Sequence, residues 1–307
     1  MIFFLTPSTQ HLHRSFARQG CDIGRYESYV FADGERGYRL KENVKGKSVA
    51  VAASILPSPD SLFELMALNR LACENGARET TLVIPYLGYA RQDRPSRKGE
   101  GSIGLMIVRL ILNMKPSRLI LVDIHSNLIR KAFGHSGIEI SALPLFAKVL
   151  AKRPPEVIVA PDAGSVSRAE KLATLVDSHP GVAAIDKVRP RANVAVAKRL
   201  RGEVRGKRVL IVDDIIDTGG TLAEAVKLVY QNGSRSILLA ATHGIFSGDA
   251  RTRLSHLPIE EILITNTVPQ IRHPKIRVLD IVPLIFQHIA QKKSLLSPSP
   301  RGGRRRG

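Results

Sequence analysis

Eight short, continuously apolar segments recur along this chain and constrain its fold more than any other feature. A strand that reads as an unbroken apolar run, without polar alternation, is typical of a parallel sheet buried on both faces. Because segments with helical periodicity lie between these runs, the sequence predicts an α/β fold with helices on both faces of its sheets. The runs are VAVAA (49–53), TLVI (81–84), LILV (119–122), VIVA (157–160), VAAI (182–185), VLIV (209–212), SILLAA (236–241) and EILI (261–264).

Two of the intervening segments carry helix-boundary signals. Asp60 is predicted to cap a helix that ends near Gly76, and a second helix is predicted to begin after Gly220 and to end near Gly233. Residues at helical spacing are predicted to share the buried side of the first helix: Leu62, Leu65, Met66 and Cys73.

Chain length and composition suggest how these segments are organised. At roughly 100–200 residues per domain, 307 residues predict two domains, with one large domain as the alternative. The stretch SALPLFAKVLAKRPPE (141–156) separates two strand–helix series, so we predict domains at 1–142 and 143–290. The remaining segment, 291–307, has six Lys or Arg residues and no acid, and is predicted to be a disordered basic tail.

The charge balance restricts the partners that this chain can have. Lys and Arg number 46 against 27 Asp and Glu, a net charge of +19, which suits polyanionic small molecules or nucleic acid. Aromatic residues are only 5% and Trp is absent, so stacking platforms for single strands are few. No apolar run approaches the roughly 18 residues that span a bilayer, and the MIFFL start lacks a signal-peptide pattern. Two cysteines make no disulfide framework, so a cytoplasmic location is expected.

The string VLIVDDIIDTGGTLAEAVKLVYQNG (209–233) carries the strongest functional signal. A buried strand delivers Asp213 and Asp214 to its carboxyl end, where open α/β sheets place ligands. The loop Asp217–Thr221 then enters a helix, and its paired glycines and free N–H groups are typical of a phosphate cradle. Because the two acids would repel a phosphate, they are expected to face hydroxyls or a cation. A sugar phosphate fits both features, although two solvated acids before a glycine turn is the simpler alternative.

An apolar strand that ends in two acids also suggests a P-loop nucleotide hydrolase. That interpretation requires G-x-x-x-x-G-K-[ST] between a strand and a helix. At Gly46-Lys47-Ser48 the first motif glycine is replaced by Lys41, and a strand follows instead of a helix. The P-loop interpretation is therefore rejected.

The loop string resembles the phosphoribosyl pyrophosphate motif of the type I phosphoribosyltransferase fold. More narrowly, the chain from about Phe31 to about Ile285 resembles the ribose-phosphate pyrophosphokinase family. The resemblance implies two similar type I phosphoribosyltransferase-like domains, each a mostly parallel sheet flanked by helices. It further implies an Mg²⁺-dependent transfer of the diphosphoryl group of ATP to the C1 hydroxyl of ribose 5-phosphate. A homo-oligomer is implied as well, with a hexamer as one size to test.

Two further strings, FADGE (31–35) and YARQDR (89–94), belong to the ATP side of this resemblance. Phe31 offers a stacking face, and Arg91 offers a planar donor fork for phosphate. Taken alone, each string would be read as a polar turn or a solvated run. The resemblance implies that both strings contact ATP, from neighbouring subunits, through Phe31, Asp33, Gly34, Glu35, Arg91 and Gln92.

The metal, catalytic and sugar ligands follow from the same resemblance. By chemistry alone, a lone His125 is more often structural, Asp162 could equally cap a helix, and the basic run 182–207 is mostly a solvated face. The resemblance implies His125 and Asp162 as Mg²⁺ ligands, and Lys187 and Arg189 as catalytic cations that neutralise the transferred group. The implied ribose 5-phosphate ligands are Arg189, Asp213, Asp214, Asp217, Thr218, Gly219, Gly220 and Thr221.

Three stretches depart from the family pattern. They are PSRKGEGSIG after RQDR, the early TPSTQHLHRSF, and Pro161-Asp162-Ala163-Gly164-Ser165, where Ser165 replaces a glycine. None removes a predicted catalytic group. The alternatives are a non-catalytic regulatory relative of the synthetases, a simple phosphoribosyltransferase, and a nucleic-acid binder. The last is not expected, since the Arg-rich tail alone favours it.

Overall fold

The computed structural model describes residues 1–188 and 197–294, with the backbone alone at 187–188, 197–198 and 291–294. The strands within these ranges are β1 (Ile2–Leu5), β2 (Asp22–Ile23), β3 (Tyr26–Val30), β4 (Arg36–Leu40), β5 (Ser48–Ala52), β6 (Glu79–Ile84), β7 (Arg118–Val122), β8 (Gly137–Ile140), β9 (Val157–Ala160), β10 (Gly181–Val188), β11 (Ala197–Arg201), β12 (Arg208–Ile216), β13 (Ser236–Gly244), β14 (Glu261–Thr265) and β15 (Ile276–Leu279). The α-helices are α1 (His13–Arg18), α2 (Asp60–Glu74), α3 (Ile103–Asn113), α4 (Asn127–Phe133), α5 (Leu143–Leu150), α6 (Val166–Leu175), α7 (Gly220–Gln231), α8 (Ala250–Ser255) and α9 (Val282–Ser294).

The first half of the chain forms a six-stranded sheet in the order β2-β1-β5-β6-β7-β8. Every pairing in it is parallel, with Phe3 opposite Ala50 and Val83 opposite Ile120. Alternate residues of a strand point to opposite faces. Ile2 and Phe4 accordingly belong to one buried cluster, with residues of α2, α3 and α4, whereas Phe3 belongs to another.

The second half forms a seven-stranded sheet in the order β11-β10-β9-β12-β13-β14-β15. Its pairings are parallel except for the antiparallel pair β10 and β11. In β12, Val209 and Ile211 lie in a cluster with residues of α7 and α8, whereas Leu210 and Val212 face the other way. The predicted α/β class, with mostly parallel sheets flanked by helices, is thus confirmed.

One apolar core joins the two sheets. It combines Phe3 and Ile120 of the first sheet with Ile158 and Leu210 of the second, around the fully buried Phe146 of α5. Helix α9, at the far end of the described chain, contacts α1 and β8. The domain boundaries 1–142 and 143–290 remain a prediction, since the elements on either side share this core.

A separate two-stranded hairpin, β3 and β4, connects β2 to β5. Its pairing is antiparallel, with Tyr26 opposite Leu40, and its turn is the string 31–35. Tyr38 holds the hairpin against α2 through a ring contact with Phe63, at 6.2 Å between centroids. The sequence predicted no strand here.

Two predictions about helix α2 are wrong. The helix begins at Asp60 and is preceded by Pro59 at the cap position, so Asp60 lies in the first turn and does not cap it. A proline ring already holds a helix-compatible φ, which explains the earlier boundary. Cys73 is exposed, because the buried stripe is centred on Leu65, Leu68 and Ala72, whereas the half-buried Met66 packs against the same core as predicted.

Two predicted boundaries also move. Strand β12 continues to Ile216, because its ladder with β13 extends to the pair Ile216 and Gly244, so Asp213 and Asp214 lie inside the strand. Helix α9 continues to Ser294, so the first four residues of the predicted disordered tail are helical. No proline or glycine interrupts the sequence between Pro283 and Pro298, which permits this extension. The rest of that tail lies outside the described residues.

Among the described residues, no helix has the length and apolar character needed to cross a membrane.

Candidate functional site

A cleft of about 1940 Å³ opens where the carboxyl ends of strands from both sheets face each other. His125 follows β7, Asp162 follows β9, and Asp213 and Asp214 belong to the last part of β12. Ligands of open α/β sheets bind outside the carboxyl ends of the strands. The topology therefore collects residues from three distant parts of the sequence at one site.

The loop between β12 and α7 forms one wall of the cleft, and Asp217–Thr221 all line it. Gly219 precedes the helix at φ +71°, in the left-handed region that favours glycine. A Cβ added there would also lie 3.3 Å from Leu254 Cγ, so a larger residue is doubly disfavoured. The first N–H groups of α7 lack intrahelical partners and carry the positive end of the helix dipole. The loop is therefore built to hold an anion.

One arginine contacts this loop from outside the cleft lining. Arg253 of α8 donates a hydrogen bond to the Thr218 carbonyl oxygen. Its guanidinium group adds positive charge beside the loop, which favours an anionic ligand.

Asp213 and Asp214 point to different partners because they are successive residues of one strand. Asp214 reaches toward the first sheet, with its Oδ2 2.7 Å from His125 Nδ1. Asp213 Oδ1 accepts hydrogen bonds from Ser165 Oγ and from the Asp214 N–H, both at 2.9 Å. Burial, together with the neighbouring Asp214 charge, raises the pKa of Asp213 to about 7. Burial alone would also raise the pKa of Asp214, but the hydrogen bond and charge of His125 lower it below the ordinary value.

His125 and Asp162 have a donor set suited to a divalent cation. The Asp214 carboxylate binds His125 at Nδ1 and raises the pKa of the imidazole, so Nε2 is the ring nitrogen left for another ligand. A carboxylate behind the imidazole is the usual second partner of a metal-binding histidine. Asp162 caps the turn 163–165 through Oδ1, which accepts from the Ser165 N–H at 3.2 Å. The capping role weighed for Asp162 is therefore present, and its second oxygen, Oδ2, is the atom available to a ligand.

Protein atoms alone do not complete a metal site within residues 1–188 and 197–294. In that part of the chain, no three His, Cys, Asp or Glu side chains are grouped to hold a metal. Mg²⁺ commonly takes one or two protein ligands and completes its shell with water and substrate phosphates. The residues present fit such a shared site and do not fit a closed one.

Arg91 links the two sides of the cleft. Its Nη1 lies 2.5 Å from Asp217 Oδ2, 126 residues further along the chain. Burial alone would raise the pKa of Asp217, but hydrogen bonds from Ser247 and Arg91 lower it below the ordinary value. Gln92 also lines the cleft, and its backbone carbonyl oxygen accepts a hydrogen bond from the Gly104 N–H at 3.0 Å. A predicted ATP residue and a predicted sugar-phosphate residue are thus in direct contact.

The remaining predicted ATP residues do not line the cleft. Phe31, Asp33, Gly34 and Glu35 form the exposed tip of the β3–β4 hairpin. Asp33 Oδ1 accepts from the Glu35 N–H at 3.0 Å, which closes the turn. Phe31 is 51% exposed. Its ring packs edge-on against the Tyr29 ring, with 5.2 Å between the two centroids. The two predicted ATP strings are therefore separated in one chain.

The two predicted catalytic cations are only partly described. Lys187 lies in β10, paired with Lys198 of β11, and its side chain is not described. Arg189 lies outside the described residues.

Sequence reasoning missed a buried polar cluster in the lining of the cleft. Asp123 is 6% exposed, and its Oδ2 accepts from Thr242 Oγ1 at 2.6 Å and from the Ala142 N–H at 2.9 Å. Its Oδ1 lies 3.3 Å from Arg168 Nη1, and its φ of +37° is unusual outside glycine. These contacts tie the end of β7, two residues before His125, to β13 and α6. The only signal in the sequence was the position of Asp123 after a buried strand, since its partners lie 19 to 119 residues away.

Comparison with known proteins gives a consistent result along the whole chain. Residues 1–114 match the family model of the N-terminal domain of ribose phosphate pyrophosphokinase, and residues 182–295 match that of the phosphoribosyl synthetase-associated domain. A ribose-phosphate pyrophosphokinase of Caldanaerobacter subterraneus subsp. tengcongensis is 36% identical over 88% of this chain and 87% of the relative. Another, from a Marinomonas species, is 34% identical over 96% and 97%. The crystal structure of phosphoribosylpyrophosphate synthetase from Mycobacterium smegmatis superimposes with a TM-score of 0.85 at 29% identity, over 96% of this chain and 99% of that one.

Proposed function

The chain belongs to the ribose-phosphate pyrophosphokinase family, and from that premise we propose how its own residues carry out the reaction. The enzyme transfers the diphosphoryl group of ATP to the C1 hydroxyl of ribose 5-phosphate. The products are 5-phosphoribosyl 1-diphosphate and AMP. The observation that carries the assignment of residues is the cleft at the end of β12, where an acid pair and an anion-binding loop are adjacent.

In this proposal, ribose 5-phosphate is the ligand of that loop. Its phosphate accepts hydrogen bonds from the N–H groups of Asp217–Thr221 and from the two threonine hydroxyls. Its ring hydroxyls donate to Asp213 and Asp214, which would repel a second phosphate at the same place. The support is the order of the groups along the chain, since the acids precede the loop by only a few residues.

ATP is proposed to bind beside the sugar phosphate, with Arg91 and Gln92 as contacts in the cleft. The hairpin tip, with Phe31, Asp33, Gly34 and Glu35, would come from a neighbouring subunit. The separation of the tip from the cleft within one chain, together with the exposed Phe31 ring, supports a shared site. A homo-oligomer follows from this arrangement, and a hexamer is the size that we would test first.

Mg²⁺ is proposed to be held by His125 through Nε2 and by Asp162. When bound, the ion neutralises charge on the triphosphate and so allows two polyanionic substrates to approach. Asp214 fixes the imidazole tautomer and orientation through the hydrogen bond to Nδ1. The donor set of one imidazole and one carboxylate supports this assignment.

The chain acts on the reaction chiefly by positioning. The loop and the acid pair orient the C1 hydroxyl toward the β-phosphorus, where an O–P bond forms as the bond to the AMP oxygen breaks and the hydroxyl proton is lost to solvent. Holding both substrates in line makes the step effectively unimolecular, which can supply roughly 7–11 kcal/mol of the barrier. Lys187 and Arg189 are proposed to neutralise negative charge on the moving diphosphoryl group, and Arg189 to contact the sugar phosphate as well.

A cytoplasmic location is part of the proposal. ATP is the diphosphoryl donor, and the cytoplasm supplies it. Cys21 and Cys73 are both free, as is usual in a reducing compartment.

The assay that tests the function measures AMP released from ATP by the purified full-length chain with Mg²⁺. We expect release that depends on ribose 5-phosphate, with 5-phosphoribosyl 1-diphosphate formed in equal amount. No release above the reaction without sugar phosphate would point to a non-catalytic regulatory relative. Consumption of 5-phosphoribosyl 1-diphosphate with a purine base, without AMP release from ATP, would identify a phosphoribosyltransferase instead.

A further inference from the structure

We propose that Ser165 is a positioning residue that aims Asp213 at the ribose hydroxyls and links it to Asp162. The proposal deepens the assigned sugar-phosphate site and rests on it. By the family resemblance, Ser165 replaces a glycine, so its side-chain hydroxyl is a group that the family pattern does not supply.

The contacts of Ser165 commit its hydroxyl to the acids of the cleft. The residue is 5% exposed, at the end of the turn 163–165. Its Oγ lies 2.9 Å from Asp213 Oδ1 and 3.2 Å from Asp162 Oδ1. Its N–H also donates to Asp162 Oδ1 at 3.2 Å, so the turn holds the serine in place. One hydroxyl thus lies between the proposed sugar-binding acid and the proposed metal-binding acid.

A hydroxyl has one proton to donate, and two carboxylate oxygens are within its reach. Asp162 Oδ1 already accepts from the Ser165 N–H, so the hydroxyl can serve Asp213 while the backbone serves Asp162. A cation at Asp162 would further reduce the attraction of that carboxylate for the hydroxyl. Ser165 then donates to Asp213 and holds that carboxylate in one orientation. The Asp213 side chain therefore loses less conformational entropy when the sugar binds.

The only other group that orients Asp213 Oδ1 in the described part of the chain is the N–H of Asp214. Without the hydroxyl, this single donor leaves the carboxylate freer to rotate. A hydrogen bond to a charged group contributes more than one between neutral groups. The loss should therefore appear in sugar-phosphate affinity and not in ATP affinity.

The test compares Ser165→Ala and Ser165→Gly with the unaltered full-length protein. Calorimetry measures binding of ribose 5-phosphate with and without Mg²⁺, and steady-state assays give KM for each substrate. We expect both variants to bind ribose 5-phosphate about tenfold more weakly in Mg²⁺, with KM for ATP unchanged within about twofold. Without Mg²⁺ the difference from the unaltered protein should shrink. Ser167→Ala, which removes a hydroxyl from the same cleft, is the matched control.

The outcomes separate this proposal from the proposed function. If the unaltered protein binds no ribose 5-phosphate, the assignment of the site itself fails. If it binds the sugar and the two variants bind equally well, only the role of Ser165 is overturned. Equal losses for ATP and the sugar, or a loss in the glycine variant alone, would indicate a backbone effect and would also overturn it.

Discussion

The hydrogen bond between His125 and Asp214 determines how both residues can act. It raises the pKa of the imidazole and lowers that of the carboxylate, so each residue stabilises the charged form of the other. Sequence reasoning found both residues at strand ends but could not pair them, because they are 89 positions apart. The same limit applied to Ser165 and Asp213, which lie 48 positions apart. Residue types at strand ends were predictable from the sequence, whereas their mutual contacts depend on how the two sheets are docked.

Lys187 is the first residue-scale test. Lys187→Ala should lower kcat roughly 10²–10³-fold, because a cation that stabilises developing charge acts mainly in the transition state. Calorimetric binding of ribose 5-phosphate should stay nearly intact. Arg205→Ala, an exposed cation of the same basic stretch, provides the control. Unchanged turnover in the lysine variant would refute the assignment.

Asp217 provides the second residue-scale test. The carboxylate holds the loop through Arg91 and Ser247, so Asp217→Ala should weaken ribose 5-phosphate binding by about tenfold. ATP affinity should change less, since Arg91 is then freed from its partner. Calorimetry with each substrate separately decides the point, with the exposed Asp177→Ala as a reference. A larger loss for ATP than for the sugar would place the sugar phosphate elsewhere.

At the scale of elements, burial explains most of the strands that the sequence predicted. Each of the eight apolar runs overlaps a strand, because strands covered on both faces leave no room for polar alternation. Strands such as β3 and β15 were missed, since exposed or half-buried residues dominate them and no continuous apolar run marks them. Strand β1 is an exception, because it is fully buried and was still missed. Pairing with a neighbour decides such strands, and a local pattern does not reveal it.

The hairpin rests on α2 through a buried acid, and this gives a pH-dependent prediction. Glu64 is 6% exposed, with Arg36 Nη1 at 3.9 Å, and burial raises the pKa of its carboxyl above the ordinary 4.5. Between the ordinary pKa and the raised pKa, Glu64 holds more protons in the folded state than in the unfolded state. The stability contributed by Glu64 therefore falls as pH rises above about 4.5.

Glu64→Gln lacks this titration. Its free energy of unfolding, minus that of the unaltered protein, should therefore increase between pH 4 and 7. Denaturant titrations at several pH values measure the difference. A difference that stays constant, or that decreases with pH, contradicts the stated role of burial.

At the scale of the whole molecule, the shared core predicts cooperative unfolding. Phe146 is fully buried between the two sheets, so Phe146→Ala should lower the free energy of unfolding by about 3–5 kcal/mol. Both halves should still unfold in a single transition followed by circular dichroism. Phe63→Ala, at a ring that is 54% exposed, should have a much smaller effect. Two separate transitions, with only one displaced by the Phe146 change, would show that the halves are independent.

The most direct measurement is the crystal structure of the full-length protein grown with ribose 5-phosphate. We expect the phosphate to lie on the N–H groups between β12 and α7, with ring hydroxyls within hydrogen-bonding distance of Asp213 and Asp214. Sugar density at any other crevice, with this loop vacant, would contradict it.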